Sequence, residues 1–225
     1  MQRVRTLASL ALLACTQPML SRDDTVVVRD PPRPASALVA ASIAESPTPA
    51  LLRARTVLHL GDSTVGFLGG LQKSLDRRFS ERHVHFYSRS WTSASLVSVD
   101  DSHDLDEALS RFDPDLVIFN LGMNNVSWTR PEVLMSHVPG IVKRLTANGR
   151  SCVWVGPPSW KEDRGVLVPL LAKSVAPCLF FDSRDLELER QTDDIHPTDV
   201  GGEIWGEAVW RFLETDGHTE ETFLP

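Results

Sequence analysis

Three short stretches of this 225-residue chain carry side chains that could act together on a carbonyl. Gly61-Asp62-Ser63 closes an apolar run. A serine hydroxyl is a weak nucleophile until a base takes its proton. Free N–H groups and partial positive charge at a strand-to-helix turn would favour the alkoxide or oxyanion that forms. Asp193-Asp194-Ile195-His196-Pro197 offers the base, because imidazole titrates near neutrality. It also offers a carboxylate to fix the imidazole tautomer, from either Asp193 or Asp194 on chemistry alone. Gly122-Met123-Asn124-Asn125 adds carboxamide N–H donors suited to an oxyanion. Each stretch also has an ordinary use, as a helix cap or a turn. The weight lies in finding all three in one chain.

Such side chains must be brought together by the elements between them. Val57-Leu58-His59-Leu60 reads as a strand ending at Gly61, followed by a helix from about Thr64 to Phe79 marked by Leu68, Leu71, Leu75 and Phe79. Val84-His85-Phe86-Tyr87 reads as a second strand, and Leu105, Ala108, Leu109 and Phe112 mark a helix that stops before Pro114. Leu116 to Leu121 is nearly all apolar, as expected of a central parallel strand covered on both faces. Pro131 to Thr146 is expected to be a helix with Gly149 past its end. Cys152-Val153-Trp154-Val155 and Cys178-Leu179-Phe180-Phe181 supply two more strands. Val200, Ile204, Ala208 and Phe212, four apart, mark a last helix from Asp199 to Leu213. This alternation predicts an α/β fold: a doubly wound, flavodoxin-like, five-stranded parallel sheet with helices on both faces. Ligands of such sheets bind beyond the carboxyl ends of the strands, and there the three stretches fall.

A serine after the first strand, an asparagine after the third and Asp-x-x-His before the last helix resemble the SGNH/GDSL hydrolase family from about Thr56 to Leu213. The resemblance implies Ser63 as nucleophile, His196 as base and Asp193, rather than Asp194, as acid. It implies that the Asn124 carboxamide and the Ser63 N–H receive the oxyanion. Two positions depart from the family pattern. Asn125 stands where aspartate is usual. The family's glycine donor after the second strand falls on Ser93, in the glycine-free loop Ser88-Arg89-Ser90-Trp91-Thr92-Ser93-Ala94-Ser95; its N–H can serve if Ser93 adopts the required backbone angles.

Other chemistries fit less well. No G-x-S-x-G elbow of an α/β-hydrolase occurs. His83-Val84-His85 lacks a third metal ligand, so no metal or cofactor is implied. Hydrophobic residues at 42% and charged residues at 24% exclude a wholly disordered chain. A formal charge of −7, without a basic cluster, excludes nucleic acid as a partner. Arg3 and Arg5 before a short apolar run ending Leu12-Leu13-Ala14-Cys15 read as a secretory signal in residues 1–15, with a lipobox-like site for lipidation of Cys15. Residues 16–54, rich in Pro, Ala and Ser, read as a flexible tether, with the hydrolase domain over 55–216 and a tail over 217–225. Export leads to the expectation of a cell-envelope address, with a lipid anchor as the membrane contact. In an oxidising compartment Cys152 and Cys178, at matching ends of two strands, could form a disulfide.

Trp154, Trp205 and Trp210 are expected in the core. Trp91, Trp128 and Trp160 lie in loops at the active edge, where they could stack on sugar rings or simply cover the sheet end. The function expected from the sequence is a serine esterase acting on a small-molecule or carbohydrate ester, O-acetyl groups included. The alternatives are an O-acyltransferase of the same fold or a non-catalytic carbohydrate-binding lipoprotein.

Overall fold

A computed structural model describes residues 48–66 and 70–217. The expected signal segment, Cys15, the tether up to residue 47, Leu68 and the tail from 218 onward lie outside the described residues. Five parallel strands form one sheet: β1 (Thr56–Gly61), β2 (His85–Ser90), β3 (Leu116–Asn120), β4 (Ser151–Val155) and β5 (Leu179–Phe181), in the order β2-β1-β3-β4-β5. Reversal of strand order beside β1 places a crevice at the ends of β1 and β3, where an open α/β sheet binds its ligand.

Alternation along the strands divides the interior into two layers. Leu58, Leu60, Val117, Phe119 and Trp154 face one side, under α2 (Leu96–Asp101), α3 (Asp104–Phe112), α4 (Val138–Leu145) and α5 (Leu167–Ser174). Val57, Ile118, Val153 and Val155 face the other, under α1 (Leu71–Glu81) and α6 (Asp199–Glu214). With both faces covered, β3 is buried at every position, which is why its sequence shows no alternation. Trp154, Trp205 and Trp210 are buried in these layers.

Several elements differ from the sequence reading. Residues 62–66 form a turn and α1 starts only at Leu71, so Ser63 does not sit on the first turn of that helix. The helix expected over 131–146 is divided: Pro131–Ser136 is 3-10, and α4 begins at Val138 with Pro139 in its first turn, where a missing N–H breaks no helical hydrogen bond. The short α2 and α5 were not anticipated; α2 is started by a capping box in which the Ser95 hydroxyl accepts from the Ser98 amide. In α6 the stripe of Val200 and Ile204 points outward, at 56% and 41% exposure, while Trp205, Val209 and Leu213 are buried. Small residues set that face, since a Cβ at Gly206 would lie 2.2 Å from the Ser74 hydroxyl of α1.

The folded unit also begins earlier than residue 55. Leu51 and Leu52 are buried against the α1/α6 layer, and the amides of Ala50 and Leu51 donate to the Asp216 carboxylate at 2.7 and 2.8 Å. Two adjacent leucines give this end of the Pro-rich stretch the apolar surface that a free tether lacks. Cys152 and Cys178 are joined by a disulfide, with Cα atoms 4.6 Å apart, next to the paired register of β4 and β5. No described helix is long and apolar enough to cross a membrane.

Candidate active site

The three sequence stretches meet at the carboxyl edge of the sheet. Gly61 ends β1 against β3 so closely that a Cβ there would lie 1.8 Å from the Asn120 carbonyl oxygen, so only glycine fits. The chain then turns, with the Val65 amide donating to the Asp62 carbonyl at 3.1 Å. Asp62 is buried, and its carboxylate accepts from the Thr64 amide at 3.0 Å, the Thr64 hydroxyl at 2.6 Å and the Met123 amide at 3.2 Å. The Asn120 carboxamide in turn donates to the Thr64 hydroxyl at 2.9 Å. Burial raises the Asp62 pKa above the ordinary carboxylate value, opposed by these hydrogen bonds. Asp62 therefore ties the β1 loop to the β3 loop and holds Ser63 between two fixed neighbours. Sequence reasoning missed this role, though a buried Asn at the end of an apolar strand was a legible sign that polar partners waited there.

Ser63 is partly exposed, and its Oγ lies 2.9 Å from His196 Nε2. The His196 Nδ1 atom lies 2.7 Å from Asp193 Oδ2. The other carboxylate oxygen, Oδ1, accepts from the Ile195 amide at 2.9 Å and the His196 amide at 3.0 Å. Hydrogen bonding to the imidazole, helped by these amides, lowers the Asp193 pKa to about 2. Asp194 points elsewhere, pairing with Lys161 at 2.8 Å. Neither aspartate caps α6; the Thr198 hydroxyl does, accepting from the Gly201 amide at 3.2 Å.

The expected oxyanion donors lie on the neighbouring loops. Asn124 is exposed, and its Nδ2 donates one hydrogen to the Ala94 carbonyl at 2.9 Å, which fixes the carboxamide and leaves its second N–H. Ser93 has φ +57°, the left-handed region that favours glycine, so the serine accepts the backbone geometry its position demands. Asn125 is fully buried; its Oδ1 accepts from the Leu96 amide at the start of α2 at 3.0 Å. A carboxamide oxygen here satisfies that orphan N–H without burying a charge. Trp91 and Trp160 are half-buried against the layer under α2–α5, and Trp128 is 41% exposed.

His83 and His85 are both exposed. The described residues that could converge on an ion are instead Asp100, Asp101 and His137, remote in sequence from the triad. There Asp100 already pairs with His137 and Arg144, each at 3.0 Å.

No protein-family model and no curated protein matches this sequence. Solved structures do match. TesA superposes with TM-score 0.60 at 20% identity, over 71% of this chain and 98% of its own. A member of the lipolytic protein G-D-S-L family from Veillonella parvula DSM 2008 gives 0.54 at 12% identity, over 69% and 96%. The acetyl xylan esterase AlAXEase gives 0.52 at 13%, over 69% and 98%. This chain has the SGNH hydrolase fold. Within the SGNH frame, the hydroxyl, imidazole and carboxylate stand in hydrogen-bonded sequence at the crevice between β1 and β3, and the Asn124 carboxamide lies on the adjacent loop.

Proposed function

We propose that this chain is a serine esterase. The observation that carries the reading is the unbroken pair of contacts from Ser63 Oγ to His196 Nε2, at 2.9 Å, and from His196 Nδ1 to Asp193, at 2.7 Å. Ser63 Oγ attacks the ester carbonyl as its proton passes to His196 Nε2. The Asp193 carboxylate holds Nδ1 protonated and stabilises the imidazolium. The Asn124 carboxamide and the Ser63 and Ser93 amides receive the tetrahedral oxyanion. Collapse breaks the C–O bond to the alcohol, which leaves with the proton from His196. Water, deprotonated by the same imidazole, then attacks the acyl group on Ser63 and releases the acid.

For substrate we propose O-acetyl groups on carbohydrate. Supporting this are the acetyl xylan esterase and a two-domain esterase active on acetylated mannans among the proteins of similar fold, the latter at TM-score 0.53 and 17% identity. An envelope address, with lipid on Cys15, is supported by the N-terminal sequence and is consistent with a disulfide, which persists in oxidising compartments. Ser63→Ala and His196→Ala are expected to abolish hydrolysis of a short-chain nitrophenyl ester while circular dichroism and melting stay unchanged. Turnover like the parent in either variant contradicts the assigned roles. Acetate release from acetylated xylan, compared with a synthetic ester, tests the substrate class.

A further inference from the structure

The Asp-x-x-His segment lies in a stretch with no regular element between β5 and α6, yet a general base must be held within about 0.5 Å of its working position. Backbone bonds close the segment on itself: the Gln191 amide donates to the His196 carbonyl at 2.8 Å and the Thr198 amide to the Glu189 carbonyl at 3.0 Å. These fix its shape. They do not fix it to the sheet. An exposed Lys161–Asp194 ion pair at 2.8 Å makes one tie to the loop after β4, and Arg190 makes a second that reaches the peptide of His196 itself. Its guanidinium donates from one terminal nitrogen to the Ile195 carbonyl at 2.7 Å and from the other to the Ser159 carbonyl, at 2.5 Å, in the loop after β4.

The Ile195 carbonyl belongs to the peptide that enters His196. The N–H of the same peptide is held by Asp193 at 3.0 Å. One peptide plane is thus gripped at its oxygen by Arg190 and at its hydrogen by Asp193, and its orientation sets where the imidazole points. A planar fork with fixed donors suits this two-carbonyl bridge; a lysine ammonium is a point donor. The guanidinium hydrogen bonds to these two backbone oxygens, while its charge also lies in the field of the Asp194 and Asp193 carboxylates.

We propose that Arg190 is a positioning residue for His196, its guanidinium joining the Ile195 and Ser159 carbonyls so that the imidazole stays in line with Ser63. This rests on the esterase reading above. In the full chain, Arg190→Ala is expected to lower kcat on a nitrophenyl ester about 10- to 100-fold, the scale of a misplacement near 1 Å, with KM within about twofold. Added guanidinium at non-denaturing concentration should restore part of that kcat, and should not raise the activity of the parent or of Lys161→Ala. A folded Arg190→Ala with parent kcat, a loss confined to KM, or no response to guanidinium overturns the proposal. If Arg190→Ala does not fold, Arg190→Lys decides: a single ammonium nitrogen on a flexible stem replaces the two separate terminal nitrogens that hold the carbonyls, so kcat still falls several-fold, and parent kcat overturns the proposal. A parent protein inert to both ester and fluorophosphonate overturns the esterase reading itself, and the positioning role with it. An active parent with an unaffected Arg190→Ala overturns the positioning role alone.

Discussion

At the residue scale, the acid of the triad has a pH behaviour set by its contacts. The Asp193 carboxyl, lowered to about 2 by its bond to His196 and by two amides, stays ionised wherever the fold is worked with. Loss of kcat/KM on mild acidification is therefore not expected to come from protonation of Asp193, whose charge should persist until the pH approaches about 2; an Asp193 carboxyl seen by NMR to titrate near the ordinary value of about 4 would contradict this. Asp193→Asn keeps the shape and removes the charge, and is expected to reduce kcat by about 10² to 10⁴ in initial-rate assays. Ser93 offers a separate test. Its left-handed backbone costs a non-glycine residue about 1–2 kcal/mol, partly offset in glycine by a more flexible unfolded chain. Ser93→Gly is expected to melt at the same temperature or a few degrees higher, with activity retained; a clear destabilisation would show that the side chain has work of its own. The triad was legible because reactive residue types at set spacings are local information. The Asp62 to Met123 bond was not, since it joins residues 61 apart that only the β1–β3 pairing brings together.

At the scale of elements, the inner strands β1, β3 and β4 were legible as apolar runs, because a strand covered on both faces must be apolar nearly throughout. The edge strand β2, with no buried residue, was read only over 84–87, and its polar end Ser88–Ser90 passed for loop. The helices were read less well. Four-residue spacing selected Val200 and Ile204 in α6, whereas the buried side is built from Gly206 and large neighbours that let α6 approach Ser74 of α1. Size complementarity between two helices is invisible to periodicity. Gly206→Ala gains about 1 kcal/mol in helix propensity but drives a methyl into Ser74. It is expected to lower stability by about 1–3 kcal/mol in urea denaturation. Ile204→Lys on the outward face should change it by no more than about 0.5 kcal/mol. The reverse ranking would mean that α6 packs differently.

At the scale of the whole molecule, His59 of β1 is expected to make stability depend on pH. Its ring is fully buried, with both nitrogens lacking hydrogen-bond partners among the described residues, and desolvation lowers its pKa from 6.5 to about 3. A proton is then taken up by the unfolded chain before the folded one. The contribution is present in full above 6.5 and is lost on acidification by about 1.4 kcal/mol per pH unit until the folded value is reached. His59→Phe is expected to flatten the stability profile between pH 6 and about 4, and an unchanged slope would remove His59 as its cause. The disulfide closes a loop between residues 26 apart in sequence. Its reduction should cost about 3.5 kcal/mol in the chain-entropy description, read as a lower melting temperature in dithiothreitol. All of this scaffolding serves one arrangement at the crevice, and a fluorophosphonate probe with peptide mass spectrometry tests it most directly. The parent protein should gain a single phosphonyl adduct on Ser63, formed far more slowly in His196→Ala and absent in Ser63→Ala. A parent that takes no label, or takes it at another residue, would contradict the account.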